Sequence, residues 1–190
     1  MRVIAGRLGG QRLDAPSGME TRPTLDRVRE ALFNVLQSEV AGARVLDLYA
    51  GTGALAIEAL SRGAGSAVLV ECSPKARRVI RDNLRRLGLE ADARLLPERA
   101  ERAVESLGCG AFDLALLDPP WPAGISLPVL ARIPALMAEG GMVVVEHERD
   151  DAPQAPGVDI WPGLILVDRR RYGRTRLSFF RKSGPQESLL

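Results

Sequence analysis

ARVLDLYAGTGALAIEALS, Ala43 to Ser61, decides the fold. Its first seven residues, ARVLDLY, are the apolar run of a buried strand. A glycine turn follows, and Ala54 to Ser61 (ALAIEALS) opens a helix. A strand that passes through glycines directly into a helix is the start of a βαβ unit.

The rest of the chain repeats the alternation. Ser66 to Glu71 reads as the next strand. Pro74 suits the first turn of a helix whose face is Ala76, Val79, Ile80, Asn83, Leu84 and Leu87, ending at Gly88. A weak strand is predicted near Arg94–Leu96, a short helix near Arg99–Leu107 and a strand at Phe112–Leu117. Then come a proline-interrupted helix, Leu127–Met137, and a strand, Met142–Glu146. Strands alternating with helices imply an α/β, Rossmann-like architecture, a mostly parallel sheet covered on both faces. The pattern changes at the end. Leu164–Val167 and Arg176–Phe180 lack an intervening helix and read as a terminal antiparallel hairpin.

A different segment precedes the core. Met1–Leu13 reads as a hairpin around Gly9-Gly10, and TRPTLDRVREALFNVL as a helix with Thr24 at its N-cap. The expected organisation is an N-terminal hairpin-and-helix extension over residues 1–40, a main domain over 41–183, and a flexible tail over 184–190.

The 190 residues are 46% hydrophobic and 26% charged, ordinary for a globular protein with one sizeable core. No apolar run has membrane-spanning length, and no signal-peptide core opens the chain. Cys72 and Cys109 are the only cysteines, outside any metal-ligand spacing, so neither a disulfide framework nor a metal site is expected. A reducing cytoplasm is the expected home, and nothing signals obligate assembly, so a monomer is expected. His147 is the sole histidine, which excludes a histidine-pair catalyst. The net charge of +2 conceals an asymmetry: residues 1–29 carry +3 and residues 169–182 carry +7, leaving −8 elsewhere. Two arginine-rich ends flanking an acidic body point to a polyanionic partner.

Gly51, Gly53 and Ala56 fit a G-x-G-x-x-A turn, in which backbone approaches a ligand at a helix N-terminus. Glu71, ending the second strand, suits ribose hydroxyls. Asp47 sets the ligand class. An acid beside the turn repels a dinucleotide pyrophosphate but welcomes the ammonium and sulfonium of S-adenosylmethionine (SAM).

The fourth strand ends in Asp118-Pro119-Pro120-Trp121. Strand termination accounts for one proline, but not for an acid and an aromatic at the edge where open α/β sheets bind ligands. Methylation of an exocyclic base amine accounts for all four. Such a nitrogen shares its lone pair with the ring, and acceptors at its N–H groups favour a pyramidal, more reactive form. Asp118 supplies a carboxylate, Pro119 a carbonyl, and the prolines restrain both without adding a donor. Trp121 would stack on the base.

LDLYAGTGALAIEALSRGA, Glu71 and LLDPPW together resemble class I SAM-dependent methyltransferases that act on amines. With MRVIAG, TRPTLDRVREALFNVL, VVVEH and RRYGRTRLSFF, the chain from Met1 to about Arg181 resembles the RsmD family of 16S rRNA (guanine-N2)-methyltransferases. The resemblance implies methylation of one guanine N2 in small-subunit rRNA, free or in an assembly particle. It implies a cofactor set of Asp47, Tyr49, Ala50, Gly51, Gly53, Glu71, Cys72, Arg99 and Ala100, with Asp47, Ala50, Gly51 and Gly53 at the methionine part and Glu71 at the ribose. Asp118, Pro119, Pro120 and Trp121 would hold the base. Arg22 and Thr24, with the basic run Arg169, Arg170, Arg171 and Arg174, would meet the RNA.

Three positions depart from the family pattern. Arg99-Ala100 stands where Asp-Ala is usual beside the cofactor adenine, with Glu98 as a neighbouring acid. Trp121 replaces phenylalanine or tyrosine, and Arg174 replaces an acid. Cys72 is expected to be a small buried or cofactor-edge residue, His147 a structural or supporting one, and Trp161 a packing residue. Competing readings are weaker. A DNA adenine-N6 or cytosine-N4 methyltransferase would need a larger target-recognition segment. A NAD-dependent oxidoreductase would need a hydride-transfer acid and no Asp47. A non-catalytic RNA-binding protein would leave DPPW idle.

Overall fold

The computed structural model describes residues 1–15, 23–120, 125–147 and 161–184, without the side chains of residues 23–25. Its elements in chain order are α1 (Pro23–Val35), α2 (Gln37–Val40), β1 (Arg44–Asp47), α3 (Ala54–Ser61), β2 (Ser66–Val70), α4 (Pro74–Arg86), β3 (Ala93–Leu96), α5 (Ala100–Ser106), β4 (Phe112–Leu117), α6 (Leu127–Leu136), β5 (Met137–His147), β6 (Leu164–Tyr172) and β7 (Thr175–Lys182).

All seven strands form one sheet in the order β3-β2-β1-β4-β5-β7-β6. The first five are parallel, and β7 runs antiparallel between β5 and β6. Strand order reverses between β1 and β4. At such a switch point the flanking connections leave in opposite directions and open a crevice at the carboxyl edge.

Neighbouring residues along the central strands enter opposite cores. Val45, Leu114, Leu116 and Val144 pack with α1, α3 and α4, while Leu46, Ala115, Leu117 and Val143 pack with α5 and α6. Burial on both faces explains why these strands read as continuous apolar runs. Each fully buried aliphatic side chain contributes about 1.5–3 kcal/mol of transfer free energy.

Local chemistry sets the helix starts near the crevice. Ser73 caps α4 by accepting from the Ala76 N–H at 3.4 Å, with Pro74 in the first turn. Gly53 enters α3 with φ of 77°, a left-handed conformation, and a Cβ there would stand 3.2 Å from Leu69. Space and backbone together require glycine. In α1, Pro23 is already helical, so Thr24 lies inside the helix rather than at the expected N-cap.

Met1–Leu13 pairs on itself through Val3 N–H to Gln11 O, 2.9 Å, and Leu13 N–H to Met1 O, 3.0 Å, but Arg2↔Arg12 is its single bridge. The expected two-stranded hairpin is therefore a looser loop, whose hydrogen bonds are redirected to α3. Buried Glu58 accepts from Ile4 N–H (2.7 Å) and Ala5 N–H (3.0 Å), and Ser61 Oγ accepts from Leu8 N–H (3.0 Å). On α4, Asn83 accepts from Asp14 N–H (2.9 Å) and donates to Asp14 O (3.1 Å). These contacts carry Met1 and Ala15 to the wall of the crevice.

The last three strands exceed their expected lengths. β5 starts at Met137, where its pairing with β4 shifts register between Phe112 and Leu114, an irregularity that apolar periodicity does not reveal. β6 and β7 run to Tyr172 and Thr175, so only Gly173 and Arg174 connect them. The arginines of this hairpin continue the ladder on an edge strand, where charged side chains remain in water. His147 pairs with Arg176, so the Gly173-Arg174 turn stands at the same edge as the crevice.

Candidate active site

The crevice is a cleft of about 750 Å³ at the carboxyl edge of β1, β2, β3, β4 and β5. Beneath it lies Asp47, the last residue of β1. Asp47 is 1% exposed; its Oδ2 accepts from the Ala56 N–H of α3 at 3.1 Å, and its Oδ1 has no partner among the described residues. Burial pushes its carboxyl up to about 7; the Ala56 N–H opposes the shift, and Asp118 and Glu71 add to it. Asp47 and Gly53 thus lie behind the glycine turn, while Tyr49, Ala50 and Gly51 face the cleft. Burial also raises the Tyr49 hydroxyl to about 12, with Glu101 adding to the shift.

Glu71 leaves β2 beside this turn. Its Oε2 accepts from the Gly51 N–H at 2.9 Å and its Oε1 from the Ser73 N–H at 2.7 Å. One carboxylate therefore fixes the glycine turn relative to the start of α4, and each of its oxygens keeps a lone pair. Cys72 follows as a free, exposed thiol on the cleft wall, not a buried residue; Glu71 turns the chain outward before α4.

The far wall comes from β3 and α5. Arg99 and Ala100 both line the cleft, but the Arg99 side chain is 79% exposed and its guanidinium pairs with Glu101 at 3.5 Å. Glu98 lines the same wall and holds one carboxylate oxygen, Oε2, buried with no donor among the described residues.

On the other side of the switch point, Asp118 and buried Pro119 leave β4, and Pro120 is exposed. Leu117 pairs with Val145, so Asp118 is brought beside Glu146 of β5. Both acids are half-buried in the cleft wall, and neither has a hydrogen-bond or ion-pair partner among the described residues. Burial raises both carboxyls, and Asp118 raises Glu146 further. The sequence reading missed Glu146 as a site residue. The available signal was its place at the end of VVVE, the same position that Glu71 and Asp118 take after their strands. His147, next in line, is buried, with Nε2 and Ser178 Oγ 2.9 Å apart, which fits a supporting role. Trp161 packs edge-on against Phe180 and donates to Leu130 O.

The remaining site residues fall elsewhere. Arg22 and Trp121 lie outside the described residues, as does the side chain of Thr24. Arg169, Arg170, Arg171 and Arg174 stand on the β6–β7 hairpin at the cleft's edge of the sheet but not in its wall. Arg170 is held by Asp168 at 2.8 Å, and Arg171 Nε donates to Gly173 O at 3.0 Å. The N-terminal arginines are less available than their count implies. Arg29 is buried, donating to Asp26 at 3.0 Å with its Nε 3.8 Å from Glu58, and Arg7 pairs with Asp92 at 3.2 Å.

The cleft has the volume of a nucleoside-sized ligand site. Glu71, Asp118 and Glu146 line it and Asp47 lies beneath, so a cationic ligand would relieve their mutual repulsion, whereas a pyrophosphate would increase it. The residues present fit a sulfonium nucleoside. Among the described residues no cluster suits a metal ion, and no helix is long and apolar enough to cross a membrane.

Comparison with known proteins agrees with this geometry. A family model described as "Conserved hypothetical protein 95" matches residues 1–181. YlbH of Bacillus subtilis (strain 168), which carries an rRNA methyltransferase name, is 35% identical over 189 residues, covering 97% of this chain and 100% of its own. Ribosomal RNA small subunit methyltransferase D of Escherichia coli (strain K12) is 33% identical over 159 residues, 82% of this chain and 79% of its own. Among solved structures, the Escherichia coli chain yhhF, also named as a methyltransferase, superposes with a TM-score of 0.83 at 30% identity, covering 96% of this chain and 98% of that one. With a class I methyltransferase sheet, an acid-lined cleft at its switch point and a family match over nearly its whole length, the chain belongs to the Conserved hypothetical protein 95 family, the RsmD family of methyltransferases.

Proposed function

We propose that the chain methylates the exocyclic N2 of a guanine in small-subunit (16S) rRNA, with SAM as methyl donor. One observation carries this reading. The glycine turn with Glu71, and Asp118-Pro119-Pro120 with its unpaired carboxylate, face one cleft from the two sides of the β1/β4 switch. SAM supplies a methyl group on a sulfonium, electrophilic enough for a weak nitrogen nucleophile. Ala50 and Gly51 hold its methionine part and Glu71 its ribose hydroxyls, while Asp47 and Gly53 brace the turn from behind. Tyr49, Cys72, Arg99 and Ala100 border the nucleoside.

Asp118 and the Pro119 carbonyl accept from the base amine, fixing its lone pair away from the ring plane. Pro120 restrains that backbone, and Trp121 stacks on the base, worth about 1–3 kcal/mol. Asp118 need not be a strong base, because the amine proton becomes acidic only once the methyl has arrived. Arg22 and Thr24, with Arg169, Arg170, Arg171 and Arg174, meet the RNA phosphates. The small-subunit target is supported by the name of the Escherichia coli relative, over 82% of this chain. The reading includes a monomer acting in the cytoplasm on free rRNA or an assembly particle.

Labelled SAM, incubated with unmodified small-subunit RNA, with particles and with DNA, tests it. Nucleoside mapping is expected to find label in N2-methylguanosine from one of the RNA substrates alone. Label in DNA, or on another base atom, overturns it.

A further inference from the structure

Asp118 and Glu146 form an arrangement that amine methylation alone does not require. Register places them side by side at the ends of adjacent parallel strands, Leu117 opposite Val145. Both line the cleft, both are half-buried, and neither meets a donor among the described residues. Arg29 and Arg99, the arginines among the described lining residues, are engaged by Asp26 and by Glu101 respectively. Adjacent carboxyl groups withdrawn from water without donors are costly, and are relieved by a ligand rich in N–H groups.

One carboxylate suffices to accept from an exocyclic amine, and Asp118 with the Pro119 carbonyl already does so in the reading above. A second acceptor one strand away calls for a second donor on the same edge of the base. Guanine offers it: N1–H lies beside the N2 amine on the Watson–Crick edge. Adenine offers an amine at N6 but a lone pair at N1, and cytosine an amine at N4 but a lone pair at N3. Against a carboxylate oxygen, either lone pair leaves a hydrogen bond unmade and adds repulsion.

We propose that Glu146 is the specificity-determining residue of this site, accepting the N1–H of the target guanine while Asp118 takes its N2 amine. The inference rests on the methyltransferase reading and adds the means of base selection. The raised carboxyls of both residues accord with it, since burial without donors is what a donor-rich base edge would reverse. The strand pairing explains the division of roles. Asp118 is followed by two prolines that fix its backbone, whereas Glu146 continues along β5, which β7 braces through Glu146↔Leu177.

The test uses the full chain, labelled SAM and small-subunit RNA, assembled into particles if these are the substrate, with the mapped target nucleotide synthesised as guanine, 2,6-diaminopurine or adenine. Diaminopurine keeps the N2 amine and replaces N1–H with a lone pair. Wild-type protein is expected to methylate guanine at least about tenfold more efficiently than diaminopurine, the difference that one charge-assisted hydrogen bond makes. In Glu146→Gln, whose amide can donate to that lone pair, the guanine-to-diaminopurine ratio is expected to fall towards one in a protein that still folds and still binds SAM. Equal wild-type rates on guanine and diaminopurine overturn the assignment whatever the variant does. A wild-type preference that Glu146→Gln leaves intact also overturns it. No transfer by wild-type protein to guanine-containing RNA or particles is a different outcome, the failure of the methyltransferase reading itself.

Discussion

Glu58 of α3 and Arg62, the residue that follows the helix, form a 2.7 Å ion pair around which the N-terminal segment is anchored. Glu58 is fully buried and also accepts from the N–H groups of Ile4 and Ala5, with the Arg29 Nε 3.8 Å away. Glu58→Ala strands the Arg62 guanidinium and two backbone donors and leaves Arg29 with Asp26 as its charge partner, so a loss of about 3–5 kcal/mol is expected. Arg7→Ala removes an exposed pair with Asp92 and is expected to cost under about 1 kcal/mol. Urea unfolding of the two variants checks the contrast, and equal losses would mean that Glu58 anchors nothing.

Glu71 is expected to be a ligand residue with a structural second duty. Glu71→Ala removes the acceptor for Gly51 and Ser73 N–H as well as the proposed ribose contact. SAM affinity, measured by calorimetry, is expected to fall by about 1.5–3 kcal/mol, the worth of a charged hydrogen bond, in a protein that still folds. Unchanged affinity would place the cofactor elsewhere.

Asp47 makes stability depend on pH in the direction opposite to that of a salt-bridged acid. Its folded carboxyl titrates at about 7 against an ordinary 3.8. Between those values the folded protein keeps a proton that the unfolded chain has released. Stability is therefore greatest below the lower value and falls as pH rises through the upper one, by at most about 1.4 kcal/mol per pH unit from this residue. Asp118 and Glu146 shift in the same direction and steepen the fall. Asp47→Asn keeps an acceptor for Ala56 N–H and is expected to flatten the slope between about pH 5 and pH 7, read by urea unfolding of the ligand-free protein. An identical slope in the variant would show that Asp47 is ionised throughout.

The β6–β7 hairpin is expected to supply much of the RNA affinity, since it gathers Arg169, Arg170, Arg171 and Arg174 at the cleft's edge of the sheet, whereas Arg29 at the other basic end is buried. Replacing Arg169, Arg170 and Arg171 with alanine together is expected to weaken RNA binding. The salt dependence should flatten by about 0.7 in log–log slope for each single-strand phosphate that the arginines no longer neutralise. SAM affinity is expected to stay constant. A preserved salt slope would place the footprint elsewhere.

Most of the fold was legible because βαβ alternation is written in local patterns. ALAIEALS gives α3 residue for residue, and FDLALL gives β4. What was not legible depends on pairing between distant segments. β5 begins at Met137 because of an irregular register with β4, and β6 carries its ladder through charged residues that break apolar periodicity. The site followed the same division. Asp118 and Glu71 announce themselves by ending strands beside prolines or a helix cap, whereas Glu146 gains meaning only from the register that sets it beside Asp118. Arg29 looked like part of a basic surface because burial and its acidic partners, Asp26 three residues before it and Glu58 on α3, appear only in the fold.

Asp118 is the residue on which the proposed chemistry turns. It leaves β4 with no hydrogen-bond partner among the described residues, and Pro119 and Pro120 fix the backbone after it. If its carboxylate holds the amine, Asp118→Ala loses orientation of the nucleophile while the glycine turn and Glu71 remain. Turnover is expected to fall by about 100-fold or more, in keeping with loss of one positioned acceptor in a water-poor site. SAM affinity is expected to remain nearly unchanged. Asp118→Asn keeps a carbonyl oxygen and should retain more activity than alanine, because acceptance rather than proton removal is the main demand. Trp121→Phe preserves a stacking face and should be mild, whereas Trp121→Ala should mainly raise the KM for RNA. Single-turnover rates on the mapped RNA substrate separate these effects. Wild-type turnover in Asp118→Ala would reduce Asp-Pro-Pro-Trp to a strand terminator, and the amine would have to be held by other groups.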